Sequence, residues 1–350
     1  PCSWLNEVGA DPGRPGATVE AFHARNRDTQ ERHPGTMLAT SSHDTKRSED
    51  VRARLSVLAE MPESWIEAVD GWRHHHEARR QAPAPDRNTE WLFYQSLVGA
   101  WPIDADRILA HLVKATREAK VHTSWTDPDP VYDESLRVWL GEAMADHEFL
   151  GSVDAFVARI RRLGWSVGLA QKLLTLTAPG VPDLYQGSEC WDLSLVDPDN
   201  RRPVDYDHRR ALLARVDGTD LAQGWAAEDG DGFTKLAVVA LALAARRAHP
   251  DCFGPGPAGA YQPLAVRGEA AAHAVGFVRG GAVATLVTRL PGGLDDKGGW
   301  GDTVVDLPAG AWVDHLGGGR FEGSVLVGDV LAGLPVALLV RAGHPAEEPA

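Results

Sequence analysis

Apolar residues recur at helical spacing through much of the first half of the chain. Val51, Leu55 and Leu58 lie three or four positions apart and predict one helix, which Pro62 closes. A second helix follows it, with an apolar stripe of Trp65, Val69 and Trp72. Similar spacing predicts helices over residues 19–26, 91–100, 104–121, 130–145, 152–163, 165–177, 208–216 and 233–249. Since residues 48–163 read as almost wholly helical, we interpret them as a helical insertion.

The period changes to two from about Tyr261 onward. Short alternating or apolar runs separated by Gly-rich turns predict strands over residues 274–278, 282–287, 303–307, 325–327 and 336–340. We expect a small antiparallel β-sandwich there. Two earlier runs, at residues 37–40 and within 178–187, predict isolated short strands between helical segments.

Composition limits the classes of partner. The chain has 350 residues, room for two or three domains, and a net charge of −14, which disfavours a nucleic-acid-binding surface. No apolar run is long enough to span a membrane, and the N-terminus lacks the pattern of a signal peptide. It looks like the middle of a protein. The 12 Trp residues could stack on sugars, although most Trp residues pack in cores.

The three cysteines, Cys2, Cys190 and Cys252, are far apart in the sequence. They indicate neither a disulfide framework nor a CxxC metal site, so a cytoplasmic protein is expected.

Residues 36–50 contain the most suggestive polar pair. The apolar run at 37–40 is followed by His43 and Asp44, and an acidic helix start follows them. In a barrel of alternating strands and helices, the end of a strand faces the active site. An adjacent imidazole and carboxylate there could bind sugar hydroxyls. Asp44 could equally cap a helix that begins near Thr45.

Several apparent cofactor motifs fail on inspection. His74, His75 and His76 are consecutive, so on one helix they point in different directions, and Arg80 occupies the second His position of HExxH. The GxGxxG match at residues 254–259 is broken by proline, and the calcium-like run at 197–200 lacks further ligands. We therefore expect no metal and no cofactor.

Residues 40–55 (TSSHDTKRSEDVRARL) closely resemble the hallmark segment of the maltooligosyltrehalose synthase family, within the α-amylase superfamily known as glycoside hydrolase family 13. The similarity continues at residues 5–12, 95–102, 120–125, 179–189, 191–206 and 261–264. Ala10 and Cys190 depart from the family pattern, as does the lead-in at residues 1–4.

The resemblance implies an α/β fold, the C-terminal portion of a (β/α)8 TIM barrel. Residues 1–47 would end in the seventh strand, 48–163 would form the insertion, 164–255 would hold the last strand and helices, and 256–350 the sandwich.

The implied reaction moves the reducing-end α-1,4 bond of a maltooligosaccharide to an α,α-1,1 bond by intramolecular transglycosylation, for trehalose biosynthesis. Asp44 would be the third carboxylate of the site and His43 its hydroxyl-binding neighbour. Lys46, Arg47, Tyr185, Gln186 and Glu189 would bind substrate, and no cofactor is implied. The density of charge at 189–205 is either a salt-bridged scaffold or a binding rim, and Glu189 could instead pair with Arg201 or Arg202.

No residue matches the motifs of the family's Asp nucleophile or Glu acid/base. We therefore expect the C-terminal part of a larger enzyme, inactive alone. Two alternatives stay open: another α-glucan hydrolase of the superfamily, and a non-catalytic carbohydrate-binding remnant. The expected partner is a maltooligosaccharide, without nucleic acid or membrane; the oligomeric state stays unknown.

Overall fold

The computed structural model describes residues 7–11, 13, 16–77, 83–228 and 230–344. Residues 1–6, which include Cys2, lie outside these ranges, as do Pro12 and Arg80. The described residues divide into two compact units: unit 1 comprises those within 1–10, 43–164 and 193–202, and unit 2 comprises those within 11–42, 165–192 and 203–350. Among the described residues, no helix has the length and apolar character needed to cross a membrane.

The helices are, in chain order, α1 (Val19–Arg32), α2 (Glu49–Val57), α3 (Pro62–His76), α4 (Arg87–Ala100), α5 (Ala105–Ala119), α6 (Pro130–Met144), α7 (His147–Thr177), α8 (Tyr206–Leu213), α9 (Leu221–Ala226), α10 (Phe233–Ala248), α11 (Pro250–Phe253), α12 (Pro291–Asp296) and α13 (Val327–Val330). The strands are β1 (Met37–Leu38), β2 (Val181–Pro182), β3 (Tyr261–Pro263), β4 (Ala265–Arg267), β5 (Ala274–Arg279), β6 (Val283–Thr288), β7 (Val304–Asp314), β8 (Arg320–Leu326) and β9 (Val336–Arg341).

Capping residues set the starts of the unit 1 helices. The Asp86 carboxylate accepts a hydrogen bond of 2.8 Å from the Thr89 amide at the start of α4. Asp129 does the same for α6, with Pro130 in the first helical position, and Pro62 begins α3. The helices predicted from apolar spacing are confirmed in this region.

Helix α7 differs from the sequence prediction, which divided it into two helices at Gly164. The helix is continuous over 31 residues. A Cβ at Gly164 would lie 3.0 Å from the Cα of Arg54, so this glycine permits a close approach of α7 to α2 rather than ending a helix. Periodicity cannot distinguish these two uses of glycine.

An aromatic cluster forms part of the unit 1 core. Trp65, Trp72 and Trp139 are 3%, 6% and 2% exposed, so these three are core residues and not platforms for sugars. Trp72 packs edge-on against Phe149, with ring centroids 6.0 Å apart. The core therefore lies where α3, α4, α6 and α7 meet.

Unit 2 contains one seven-stranded antiparallel sheet in the order β3-β5-β6-β9-β7-β4, with β8 paired to β7. The end strands β3 and β4 are separated in sequence only by Leu264. The Leu264 amide donates a hydrogen bond to the Gly276 carbonyl oxygen in β5. The two ends of the sheet are therefore close together, and the sheet curls into a near-barrel. One face packs with residues of α7 and α10 such as Leu173 and Leu236, and the other surrounds Trp312. The predicted strands are confirmed, whereas a two-sheet sandwich is not.

Strands β1 and β2 form a separate parallel pair in unit 2, with Met37 opposite Val181 and Leu38 opposite Pro182. The Leu38 carbonyl accepts a hydrogen bond of 2.8 Å from the Asp183 amide. Two strands that are far apart in sequence are therefore parallel neighbours. Each is followed by predicted site residues, with His43 and Asp44 after β1 and Tyr185 after β2.

Candidate functional site

His43 and Asp44 form a turn in unit 1, between β1 and α2 in the sequence. Both side chains are exposed, by 48% and 74%, and His43 Nδ1 lies 3.1 Å from Asp44 Oδ1. Helix α2 begins at Glu49, with Ser48 as its N-cap. Asp44 is therefore not the N-cap, which overturns the capping alternative and leaves its carboxylate largely accessible to solvent.

Two residues of the charged loop at 193–202 hold this turn. Asn200, which is 8% exposed, donates a hydrogen bond of 2.8 Å from Nδ2 to the His43 carbonyl oxygen. The Arg201 guanidinium contacts His43 Nε2 and donates a second hydrogen bond of 3.1 Å to Asp197. The loop thus fixes both the backbone and the ring of His43.

These contacts define the proton arrangement on His43. A guanidinium can only donate, so Nε2 of a neutral His43 accepts from Arg201. Its single proton is then on Nδ1, from which it is donated to Asp44 Oδ1. The imidazole orients the Asp44 carboxylate, and Arg201 in turn orients the imidazole.

The other charges of the loop form a scaffold. Arg107 makes two hydrogen bonds to Asp199, of 2.7 and 2.9 Å, and Lys114 bonds Asp197 at 2.7 Å. The hydrogen bond from Lys114 lowers the pKa of Asp197. Although burial raises the pKa of Asp199, hydrogen bonds from Arg107 and the Leu195 amide outweigh it, so that the pKa is lowered. Both carboxylates are therefore ionised partners of helix α5, and the loop is rigidly attached.

Glu7 is an anchor that the sequence argument did not single out. Its buried carboxylate accepts hydrogen bonds of 2.7 Å from the Lys46 amide and 3.1 Å from the Arg47 amide, and lies 4.0 Å from Arg52. The only sequence signal was its place within residues 5–12, one of the segments that resemble the family. Its long-range role could not be derived from spacing.

Lys46 and Arg47 occupy different environments. Arg47 is 7% exposed, its guanidinium bonds Gln95 Oε1 at 3.1 Å, and burial lowers its pKa. Lys46 is exposed, with Nζ 3.8 Å from Glu118. Of the two predicted substrate contacts, Lys46 presents its charge to solvent, whereas Arg47 joins the segment before α2 to α4.

The second predicted group lies in unit 2, after β2. Tyr185 is half-buried, Gln186 is exposed, and the Tyr185 carbonyl accepts a hydrogen bond of 3.0 Å from the Ser188 amide. Glu189 pairs with Arg209 at 2.5 Å, and Arg209 also bonds the Gly187 carbonyl at 2.8 Å. The structure thus gives Glu189 an arginine partner, although a different one from those considered in the sequence.

Neither group contains a set of metal ligands. Among the described residues, the set of three close metal-ligating side chains is His75, His76 and Asp146, elsewhere in unit 1.

Comparisons with known proteins agree on one family. No family model matches the chain. A Mycobacterium tuberculosis protein provisionally named a maltooligosyl trehalose synthase is 40% identical over 344 residues, which is 96% of this chain and 42% of that protein. The chain therefore spans less than half the length of this curated relative.

Solved structures show the same similarity. The maltooligosyltrehalose synthase of Arthrobacter ramosus is 44% identical, with a TM-score of 0.87 over 97% of this chain and 43% of that one. A structure titled as a hypothetical maltooligosyl trehalose synthase of Sulfolobus tokodaii is 30% identical, with a TM-score of 0.76 over 96% of this chain and 43% of that one. Over nearly its whole length the chain is therefore similar to maltooligosyltrehalose synthases, and it matches the C-terminal part of these longer proteins.

Proposed function

We propose that this chain supplies the third carboxylate of a maltooligosyltrehalose synthase, which isomerises the reducing-end α-1,4 bond of a maltooligosaccharide to an α,α-1,1 bond. The observation that carries the proposal is the exposed His43–Asp44 pair, oriented by Asn200 and Arg201. In this proposal β1 and β2 are the last two strands of a TIM barrel, and their parallel pairing supports it.

The pair suits a sugar whose ring flattens during reaction. A carboxylate that accepts hydrogen bonds from hydroxyls next to the reacting carbon binds more tightly as positive charge develops there. The Asp44 carboxylate is accessible for such contacts, while His43 holds one of its oxygens. Lys46, Tyr185, Gln186, Glu189 and Arg47 remain candidate substrate-binding residues, with Arg47 the least exposed.

The nucleophile and the general acid/base must come from other residues. Retaining transglycosylation needs a carboxylate that traps the glycosyl unit and an acid that protonates the leaving oxygen. Residues 1–350 match neither of the family's motifs for these roles, and the chain spans 42% of its relative from M. tuberculosis. We therefore propose that the chain alone has no synthase activity.

The buried thiols fit a reducing, cytoplasmic setting. Among the described residues, Cys190 and Cys252 are buried thiols that are not joined in a disulfide, and burial raises the pKa of Cys190 to about 11.

Joining this chain to the N-terminal portion of the A. ramosus synthase tests the proposal. We expect the joined enzyme to convert maltopentaose to an α,α-1,1-linked product, and Asp44→Asn to lower kcat about a thousandfold. Asp106 is an exposed carboxylate on α5, so Asp106→Asn is the matched control and should leave the rate unchanged.

Other outcomes separate the alternatives. Full activity of the Asp44→Asn enzyme, or product formed by the purified chain alone, would contradict the proposal. Release of glucose in place of the α,α-1,1 product would favour a hydrolase. A carbohydrate-binding role would be favoured by two results together. The joined enzyme would be inactive, and the chain alone would bind maltopentaose equally well with and without Asp44→Asn.

A further inference from the structure

A second cluster of functional groups lies where helix α3 ends and helix α7 begins. His75 and His76 are the last two residues of α3, and Asp146 immediately precedes α7. One ring nitrogen of each histidine and one carboxylate oxygen of Asp146 all lie within 4.8 Å of one another. His75 Nε2 is 2.7 Å from Asp146 Oδ2. Three side chains of types that bind transition metals therefore converge.

The Asp146 carboxylate is held by the start of α7. Its Oδ1 accepts hydrogen bonds of 3.0 Å from the Glu148 amide and 3.1 Å from the Phe149 amide. This capping arrangement turns Oδ2 toward His75, and only 9% of the Asp146 side chain is exposed. The oxygen is therefore positioned by the backbone and not by His75 alone.

His76 is oriented through two further side chains. The Tyr94 hydroxyl donates a hydrogen bond of 3.0 Å to Glu90 Oε1, and His76 Nδ1 lies 3.0 Å from the Tyr94 oxygen. Since the carboxylate takes the hydroxyl hydrogen, the tyrosine oxygen accepts from Nδ1–H of His76. Nε2 of His76 then carries the lone pair. Histidines that bind metals usually have their other nitrogen bonded in this way.

Packing restricts the alternative conformations of His76. The residue is 1% exposed, and its ring lies edge-on to Phe149, with centroids 4.4 Å apart. Burial alone would suit a structural histidine. A purely structural role of His76 would not require His75 and Asp146 to converge on the same point.

We propose that His75, His76 and Asp146 bind one divalent transition-metal ion of the zinc class. With metal–ligand distances of about 2.1 Å, tetrahedral ligand atoms lie about 3.4 Å apart. His75 Nε2 and Asp146 Oδ2 must separate slightly from 2.7 Å, and the widest separation of up to 4.8 Å must close by about 1.4 Å. When the metal binds, the one proton of the neutral His75 imidazole is on Nδ1 in place of Nε2, so that the lone pair of Nε2 is available to the ion.

A neighbouring cavity gives solvent access to this site. Its volume is about 460 Å³, and His75 lines it together with Glu67 and Glu148. Three protein ligands leave a coordination position, which water from the cavity fills. The bound ion thus links the end of α3 to the start of α7.

The consecutive histidines were a weak sequence signal because residues on one helix diverge. The third ligand, Asp146, immediately precedes another helix and lies 71 positions after His75 in the sequence, so local spacing could not reveal it.

The test uses the tag-free 350-residue chain, stripped with a chelator and titrated with ZnCl₂ by calorimetry and by equilibrium dialysis. We expect one zinc per chain. His75→Ala and Asp146→Asn should each weaken binding at least tenfold. His74→Ala is the matched control: His74 is exposed on the same helix and contacts the Asp70 carbonyl at 2.7 Å, so binding should be unchanged.

Thermal unfolding with and without zinc gives a second measurement. His75 is partly exposed, so His75→Ala should keep the melting temperature of the metal-free chain while losing the increase that zinc produces in the wild type. Equal zinc affinity in the His75→Ala and His74→Ala chains would overturn the proposal, as would a stoichiometry well below one.

Discussion

The side-chain amide of Asn200 donates a hydrogen bond of 2.8 Å to the main-chain carbonyl oxygen of His43, across 157 positions of sequence. The bond attaches the turn that contains Asp44 to a loop that is itself anchored to α5 through Arg107 and Lys114. The position of the candidate catalytic carboxylate is therefore set by a residue that does not belong to the turn.

Asn200→Ala is expected to loosen this turn without unfolding unit 1. A buried hydrogen bond contributes about 1 kcal/mol, so the open state of the turn should become about fivefold more populated. Hydrogen–deuterium exchange of peptides that cover residues 40–47 measures this directly. Asn88→Ala, at an exposed position in α4, is the control and should leave exchange there unchanged.

Exchange that is equal in the Asn200→Ala and wild-type chains would show that Arg201 and Glu7 hold the turn without Asn200.

Glu7→Gln is expected to destabilise unit 1 by about 2 kcal/mol. The Glu7 carboxylate accepts from the amides of Lys46 and Arg47, and its side chain is 2% exposed. A glutamine amide would place hydrogens against one of these N–H groups and would remove the charge near Arg52. The free energy of unfolding in urea measures the change.

Glu63→Gln provides the comparison for that experiment, since Glu63 is exposed in the first turn of α3. It should change the unfolding free energy by less than about 0.5 kcal/mol. Similar effects of the two substitutions would mean that the Glu7 hydrogen bonds do not stabilise the folded state.

Local pattern predicted most of the elements. Helical spacing located α3 to α6, and period-two runs located β5 to β9, because both patterns record which face of an element is buried. The place of His43 and Asp44 between a strand and a helix was also correct. These features depend on neighbours in sequence.

Long-range contacts could not be predicted in this way. The division of α7 at Gly164 was wrong because the glycine meets Arg54, which is distant in sequence. Glu7 and Asn200 hold the turn through contacts with backbone atoms, which leave no pattern in side-chain spacing. The arginine partner of Glu189 was also not the expected one, since loop packing brings Arg209 to it.

Two glycines of α7 should respond in opposite directions to substitution by alanine. A Cβ at Gly164 would approach the Cα and Cβ of Arg54 to 3.0 and 3.1 Å, whereas a Cβ at Gly151 meets nothing within 4 Å. Alanine at an open helical position stabilises by about 1 kcal/mol. Gly151→Ala should therefore raise the unfolding free energy, and Gly164→Ala should lower it by about 1–3 kcal/mol through overpacking.

Urea unfolding of both variants beside the wild type measures the two effects. Stabilisation by Gly164→Ala would show that α2 and α7 can separate at no cost, and the continuous helix would then need no glycine there.

His111 should make the stability of unit 1 sensitive to mild acid. It is 8% exposed, with Nε2 3.3 Å from the Ser96 hydroxyl, and burial, followed by the charge of Arg47, lowers its pKa to about 3. In the unfolded chain the pKa is about 6.5. Above pH 6.5 both states are neutral, and the stability is fully present. Below it the unfolded state takes up a proton that the folded state does not, so stability is lost as pH falls toward 3.

At pH 5 the loss attributable to His111 is about 2 kcal/mol, since 1.36 kcal/mol corresponds to one pKa unit. His111→Gln removes the titration and keeps a group that can bond Ser96. The decrease in unfolding free energy between pH 7 and pH 5, measured in urea, should therefore be about 2 kcal/mol smaller in this variant than in the wild type. His74→Gln, at an exposed position on α3, should leave the decrease unchanged. Equal decreases in the His111→Gln and wild-type chains would show that the folded protein protonates His111 as readily as the unfolded chain does.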